Sequence, residues 1–137
     1  MELEALAEKW PSSPDEEPYT FAINEHDGLL YLESLPMWQS LLEDLGRGAP
    51  VPQMALRFHF GLARAIRDMV ARISSANLLN SVALSGGCFQ NKLLLEEVVR
   101  LLEADGLRCL LHAKVPSNDG GLALGQAAIA AARQINQ

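Results

Sequence analysis

The sequence predicts an α/β protein with a mixed sheet and packed helices, and three observations carry this prediction. An Asp-Gly pair at residues 27–28 separates two short apolar runs, which indicates an antiparallel hairpin. Apolar residues recur at three- and four-residue steps over 52–73, as on one face of a long helix. The C-terminal half then alternates strand, helix, strand and helix, which is the order of a βαβ unit with parallel strands.

Length and composition are those of one ordinary globular domain. The chain has 137 residues, of which 49% are apolar and 20% charged, enough to bury a core. Its net charge of −6, without a cluster of Lys or Arg, argues against a nucleic-acid partner. With no apolar leader and no run of about 20 apolar residues, we expect no signal peptide and no membrane contact. Two cysteines, Cys88 and Cys109, do not make a disulfide framework, so we expect a cytoplasmic protein.

The N-terminal half is expected to hold a lead-in, the hairpin and two helices. Residues 1–18 are interpreted as a lead-in that ends in an acidic, proline-rich and solvated linker, and the main lobe spans 19–137. A short helix is expected within 1–10. The strands and helices expected after the linker are 19–23, 29–32, 37–45 and 52–73.

The C-terminal half is expected to place two short strands side by side. Because a crossover helix connects them, Val82–Leu84 and Cys109–Leu111 should be parallel neighbours. The helices expected to cover the sheet are 52–73, 91–104 and 120–134.

Each of these two strands runs into a glycine-rich turn, SGGCFQN at 85–91 and PSNDGG at 116–121. Paired glycines let the backbone approach a ligand closely and adopt positive φ. The helix after each turn directs free N–H groups, and about half a positive charge, towards its own start. We therefore expect both turns at one edge of the sheet, forming a single phosphate or nucleotide cleft. Neither turn is a P-loop or a dinucleotide fingerprint, and plain turn chemistry is the alternative interpretation.

Polar side chains near the turns also have alternative interpretations. Asn91 either contacts the ligand or simply caps the helix that follows it. Asn118 or Asp119 is the corresponding cap of the last helix, whereas a projecting Asp119 carboxylate would suit a hard cation. His59, at the edge of an apolar helix face, is interpreted as a packed rather than a catalytic histidine. No two histidines have the spacing of metal ligands, so we expect no zinc site from this chain alone.

Three segments together resemble the HypF family of carbamoyltransferases. They are Arg57-Phe58-His59, LSGGCFQN at 84–91 and VPSNDGGLALGQ at 115–126, and their order and spacing also fit. A Gly-Gly pair alone is not specific, but the combination of the two long motifs is. The resemblance runs from about Tyr19 to Gln134.

This resemblance implies a fold and a chemistry. The region is similar to the second lobe of a Kae1-like domain with the actin-like (ASKHA, ribonuclease-H-like) architecture, which holds a nucleotide and a metal between two lobes. The family is an ATP-dependent transferase of nickel–iron hydrogenase maturation, and passes a carbamoyl group from carbamoyl-adenylate to a cysteine of the HypE acceptor protein. The resemblance makes Asp119 a metal ligand. The positions it assigns to nucleotide binding are Ser85, Gly86, Gly87, Asn91, Asn118, Gly120 and Gly121.

The chain departs from the family pattern in what it lacks. It has no acylphosphatase-like segment, no Cys-x-x-Cys zinc fingers, no YrdC-like domain and no first lobe with the His-x-x-x-His metal ligands. We therefore expect one wall of a two-walled cleft, no identifiable catalytic residue and no activity from this chain alone. Its own histidines, at 26, 59 and 112, are expected to lie too far from Asp119 to replace the missing ligands. The alternative is a non-catalytic interaction module, or a stand-alone relative, that dimerises or complements a separate first lobe.

Overall fold

A computed structural model of the chain describes residues 2–11 and 16–135. Within these ranges the elements are α1 (Glu2–Ala7), β1 (Ala22–His26), β2 (Leu29–Glu33), α2 (Leu35–Gly46), α3 (Val51–Asn77), β3 (Ser81–Ala83), α4 (Lys92–Ala104), β4 (Arg108–Leu110) and α5 (Leu122–Ile135). Short 3₁₀ turns at Gly87–Gln90 and Asp119–Gly121 lie within the two glycine-rich turns. None of the described helices is long and apolar enough to cross a lipid bilayer.

The N-terminal hairpin forms at the predicted Asp-Gly turn, but its first strand is Ala22–His26 and not the expected 19–23. Strands β1 and β2 pair antiparallel, with Asn24 opposite Tyr31. Both turn residues have positive φ, 52° at Asp27 and 74° at Gly28. Positive φ at both central positions matches the twist of the flanking strands, which is why Asp-Gly favours a tight hairpin.

The predicted parallel pair also forms. Strands β3 and β4 run parallel with Val82 opposite Cys109, and the Leu84 N–H extends the pairing by donating to the Leu110 carbonyl at 3.0 Å. Helix α4 is the crossover between them. Below the pair, buried Leu84 packs with α3 and α4 in a core whose other members are Ala63, Leu94, Val98 and Leu102.

The expectation of a single mixed sheet is wrong for the described chain. The hairpin and the parallel pair are two separate two-stranded sheets. Helix α3, 27 residues long, contacts the hairpin as well as α4, so helix packing and not strand pairing connects the two halves. Helix α5 also fails to cover a sheet, since every one of its residues is exposed to solvent.

The lead-in packs on the lobe more closely than a solvated segment would. Helix α1 packs against α3, and its Ala7 is completely buried. Residues 12–15 of the expected linker lie outside the described residues. Just after them, the Glu16 carboxylate accepts hydrogen bonds from Trp10 Nε1 at 2.7 Å and Gln53 Nε2 at 2.5 Å. The domain boundary at residue 18 stays a prediction.

A backbone contact fixes the chain at Tyr19 against α3. The Tyr19 N–H donates to the Arg57 carbonyl at 3.1 Å, and Tyr19 is only 2% exposed. At the same place α3 carries Gly61, where an added Cβ would lie 2.2 Å from the Tyr19 carbonyl oxygen. Only glycine allows this approach, because the obstructing atom belongs to the backbone and cannot rotate away.

Gly61→Ala is therefore expected to destabilise the fold by about 1–3 kcal/mol through forced separation of α3 from the chain at Tyr19. Urea unfolding followed by circular dichroism measures this loss. Gly46→Ala at the end of α2 is the matched control, because nothing lies within 4 Å of the new Cβ. A loss at Gly61 no larger than that at Gly46 would contradict the steric argument.

A buried ionic cluster ties α2 to the same place. The Asp44 carboxylate, 5% exposed, accepts from the Tyr19 hydroxyl at 2.8 Å and pairs with Arg47 at 2.7 Å and with Arg57. Burial raises the pKa of Asp44, but the Tyr19 hydrogen bond and the two arginine charges outweigh it and hold the pKa below its usual value. Burial and the Asp44 hydrogen bond raise the pKa of Tyr19.

Asp44→Asn is expected to weaken the acid dependence of stability. A depressed pKa means that ionised Asp44 stabilises the fold above its unfolded pKa of about 3.9, and that this contribution is lost as the pH falls through the folded-state pKa. The variant should be less stable at neutral pH by about 1–3 kcal/mol. It should also lose less of its remaining stability below about pH 4. Urea unfolding across this pH range tests both, with Asp27→Asn as the control that removes an exposed carboxylate outside the buried cluster.

Candidate functional site

The two glycine-rich turns meet at the carboxyl ends of the parallel strands. The Gly86 N–H donates to the Ser117 carbonyl oxygen at 2.7 Å, which joins the two turns directly. Between them lies an open cleft of about 360 Å³, within the roughly 300–1,000 Å³ of ligand pockets in general. The expectation that both turns lie on one edge and form one cleft is confirmed.

The structure brings only some of the predicted site residues into this cleft. Those that line it are Ser85, Gly86, Asn118, Asp119 and Gly121. Gly87, Asn91 and Gly120 are not among its lining residues. The remaining lining residues come from 112, from 116–117 and from the first two turns of α5.

Two glycines of the cleft are required by the backbone itself. Gly86 has φ of 111°, in a region that residues with a side chain rarely adopt. At Gly121 an added Cβ would lie 2.9 Å from the Pro116 carbonyl oxygen. Gly86 and Gly121 are therefore needed for the backbone conformation of the cleft, whether or not a ligand is bound.

Several backbone N–H groups of the turns already have partners within the protein. Besides the bond from Gly86, the Gly120 N–H donates to Asn118 Oδ1 at 3.0 Å and the Gly121 N–H to the Asn118 carbonyl at 3.0 Å. Asn118 is thus a cap of the 3₁₀ turn that leads into α5, one of its two interpretations. An anion in the cleft would have to find donors other than these three.

The expectation that α4 directs free N–H groups at the ligand is wrong. The Glu4 carboxylate of α1 accepts from the Lys92 N–H at 2.5 Å and the Leu93 N–H at 3.3 Å. The next N–H, of Leu94, donates to Asn91 Oδ1 at 2.9 Å. A helix start satisfied by a buried carboxylate and a cap has no donor left over for an outside anion.

Asn91 is both a helix cap and the partner of a buried histidine. Its Nδ2 donates to His59 Nε2 at 2.7 Å, while His59 Nδ1 donates to the Ala55 carbonyl at 2.7 Å. Asn91 and His59 are 7% and 2% exposed. This arrangement requires the neutral tautomer with its proton on Nδ1. His59 is therefore the packed, satisfied histidine that the sequence predicts, and the capping role of Asn91 is confirmed.

Asn91→Ala is expected to lower the free energy of unfolding by about 1–3 kcal/mol, because it removes the cap and leaves His59 Nε2 buried without a donor. Asn118→Ala is the matched control, since it removes the same kind of cap bond at an exposed position. Thermal or urea unfolding of both variants gives the comparison. Equal losses at the two positions would show that the histidine contact adds nothing.

Among the titratable residues that line the cleft, sequence reasoning assigned Asp119 to the site but missed His112. His112 lines the cleft, and its Nε2 lies 2.9 Å from the Ser85 hydroxyl oxygen. The available signal was its place in the chain: His112 follows β4 as Ser85 follows β3, and parallel neighbours end at the same edge. The imidazole and the hydroxyl therefore form a polar pair in the cleft, at the ends of the two parallel strands.

Asp119 is exposed to solvent and lines the cleft. Nowhere in the described ranges do three or more His, Cys, Asp or Glu side chains form a group able to hold a metal ion. His26 and His59 do not line the cleft, and His112 shares it with Asp119 without completing such a group. The residues present therefore do not make a metal site by themselves.

Both described cysteines are free thiols.

These elements define a helix-rich α/β lobe that presents one polar cleft, built from two glycine-rich turns at the ends of parallel strands. A family model described as "Carbamoyltransferase, Kae1-like Domain, second subdomain" matches residues 1–126. The chain belongs to this family, as its motifs indicate.

Relatives and solved structures agree with the family model. A carbamoyltransferase HypF homolog from Cupriavidus necator is 40% identical over 131 residues, covering 94% of this chain and 33% of that protein. Carbamoyltransferase HypF from Rhodobacter capsulatus is 40% identical over 93 residues, covering 68% of this chain and 12% of that protein. The chain thus spans a third or less of the length of these relatives.

Two solved structures are similar to the fold. Full-length HypF in its phosphate- and nucleotide-bound form superposes with a TM-score of 0.84 at 32% identity, covering 94% of this chain and 16% of that one. HypF of T. kodakarensis gives a TM-score of 0.74 at 26% identity, with 93% and 16% covered.

Proposed function

We propose that the chain supplies one wall of the carbamoyl-transfer cleft of a HypF-type maturation carbamoyltransferase for nickel–iron hydrogenases. The observation that carries this proposal is the Gly86–Ser117 hydrogen bond, which holds both family motifs in one cleft with Asp119 exposed beside them. Support for a nucleotide ligand comes from the similar HypF structure in its phosphate- and nucleotide-bound form. The ligand is ATP or carbamoyl-adenylate.

In this proposal the cleft residues make two kinds of contact with a ligand. Gly86 and Gly121 give close access to the backbone, and Ser85 and Asn118 offer side-chain hydrogen bonds. The assignment of Gly87, Asn91 and Gly120 to nucleotide binding stays a prediction from the family resemblance. For Asn91 it requires contact through the one amide hydrogen that is not already donated to His59.

Asp119 is proposed as one ligand of a divalent metal whose other ligands come from a first lobe. Hard cations take six or more oxygen ligands or waters, so one exposed carboxylate holds such an ion only weakly. The shared site would make the lobe dependent on its partner lobe for metal binding. We propose the actin-like architecture for the complete two-lobed cleft, HypE as the acceptor protein and the cytoplasm as the location.

Calorimetry with ATP and with a carbamoyl-adenylate mimic, with and without Mg²⁺, tests the nucleotide assignment. We expect weak binding by the chain, abolished in Gly86→Val because the substitution adds a side chain at a cleft-lining position and strains a backbone at φ of 111°. Gly106→Val is the matched control: its φ is 81°, it is equally unsuited to a side chain, and nothing lies within 4 Å of the new Cβ. Equal nucleotide binding by the two variants would contradict the assignment.

Activity is tested in a full-length HypF relative that carries the same motif. The substitution corresponding to Asp119→Asn is expected to remove most carbamoyl transfer, because the metal loses an anionic ligand. In the present chain Asp119→Asn should leave the free energy of unfolding almost unchanged, because Asp119 is exposed. Unchanged transfer activity would remove Asp119 from the metal site.

A non-catalytic interaction module is the second candidate, and one observation favours it. Helix α5 is exposed along its whole length although it carries large apolar side chains, among them Leu122, Leu124 and Ile129. Exposed apolar surface of this kind is typical of an association site. Such a module would associate with a first lobe or a second copy without binding nucleotide, so the same calorimetry distinguishes the two functions.

A further inference from the structure

We propose that His112, with Ser85, binds the phosphoryl oxygens of the nucleotide in this cleft. The inference rests on the proposed nucleotide function and deepens it, because it names a ligand-binding residue outside the family motifs and the part of the ligand that it contacts.

The charges of the cleft point to His112. Apart from this imidazole, the described residues that line the cleft include no side chain able to carry a positive charge, and one carboxylate, Asp119. A phosphoryl group needs hydrogen-bond donors or positive charge around it. Because the Gly86, Gly120 and Gly121 N–H groups donate within the protein, the backbone of the turns cannot supply these three donors.

The start of α4 is also closed to an anion. Its first N–H groups, of Lys92 and Leu93, donate to the Glu4 carboxylate. The Leu94 N–H donates to Asn91. In many phosphate sites a helix N-terminus provides the donors. The start of α4 cannot do so here, which leaves a role for side-chain donors at the cleft.

The His112–Ser85 pair offers a donor in every protonation state. With the proton on Nε2, His112 donates to Ser85 Oγ at 2.9 Å and the Ser85 hydroxyl hydrogen is left for the ligand. With the proton on Nδ1, Ser85 donates to Nε2 and the Nδ1–H is left, since Nδ1 has no hydrogen-bond partner within the described residues. Protonated His112 supplies both its own donor and a positive charge.

The position of His112 suits a ligand with one charged and one apolar end. Besides the polar cleft, it lines a second cavity of about 280 Å³, whose walls include Leu84, Phe89 and Val115. The two cavities share His112, Pro116 and Ser117. A nucleoside phosphate has this combination of an anionic group and a flat aromatic base.

The three histidines allow a direct test by NMR, because they lie in three different environments. His112 is in the cleft, His59 is buried and His26 is exposed on the hairpin. Millimolar AMP is expected to shift the imidazole signals of His112 and the amide signals of Gly86 and Gly121, and to leave His26 unchanged. Adenosine, which lacks the phosphoryl group, should shift the glycine amides without the same effect on His112.

Binding measurements on variants complete the test. His112→Ala is expected to weaken AMP binding roughly ten- to hundredfold, the loss typical of a hydrogen bond to a charged group, and to leave adenosine binding unchanged. His26→Ala is the control and should bind AMP normally. Ser85→Ala should weaken AMP binding too, and the double variant should lose less than the product of the two single losses, because the residues act as a pair.

The outcomes separate the two proposals. If AMP shifts the glycine amides but not His112, or if His112→Ala weakens AMP and adenosine equally, the role of His112 is refuted while the nucleotide function stands. If millimolar AMP shifts neither set of signals, the nucleotide function of this chain is refuted, and the role of His112 with it.

Discussion

The cleft depends on the buried hydrogen bond from Asn91 to His59. His59 belongs to α3, the long helix that contacts α1, α4 and the hairpin, whereas Asn91 ends the first glycine-rich turn and begins α4. Their 2.7 Å contact therefore sets where the turn lies relative to the scaffold. Asn91 serves two neighbours at once, so any displacement of α4 along α3 breaks a buried hydrogen bond, and an unsatisfied buried group costs about 1–3 kcal/mol.

Helix α1 takes part in the same arrangement. Its Glu4 carboxylate fills the positive end of α4, where a negative charge is stabilised by the helix dipole. In a phosphate-binding loop the helix N-terminus usually binds the anion, and the bound anion helps to hold the loop. Here the Glu4 carboxylate holds the loop instead, so this does not depend on a ligand. The first turn is held in place from inside by Glu4 and Asn91, and its outer side, at Ser85 and Gly86, faces the cleft. The first turn is consequently held in place before any ligand arrives.

Short sequence patterns predicted the turns, caps and strand pairing, but they did not predict contacts between side chains far apart in the sequence. The Asp-Gly turn, the α4 cap and the parallel pair all follow from residues close in sequence. Glu4 and Lys92 are 88 residues apart, so only packing shows that they meet. His112 meets Ser85 because the paired strands β3 and β4 end at the same edge. The single sheet was over-predicted because β3 and β4 have three residues each, too short for their pattern to specify further strand partners. The family motifs include most of the cleft lining but not His112 or Ile129.

The exposure of α5 has a consequence for the energetics of the cleft. All residues of the 14-residue helix α5 are exposed, so packing stabilises it little. Its length is close to the roughly 12–15 residues at which isolated helices are only marginally stable in water. Residues of its first turns, such as Leu122 and Gly125, also line the cleft. Helix formation and ligand binding are then thermodynamically linked. A partner that covers α5 orders the helix before the ligand binds, so the ligand no longer bears this entropy cost and binds more tightly. A first lobe that covered α5 would thereby raise the ligand affinity of this wall in addition to making its own contacts with the ligand.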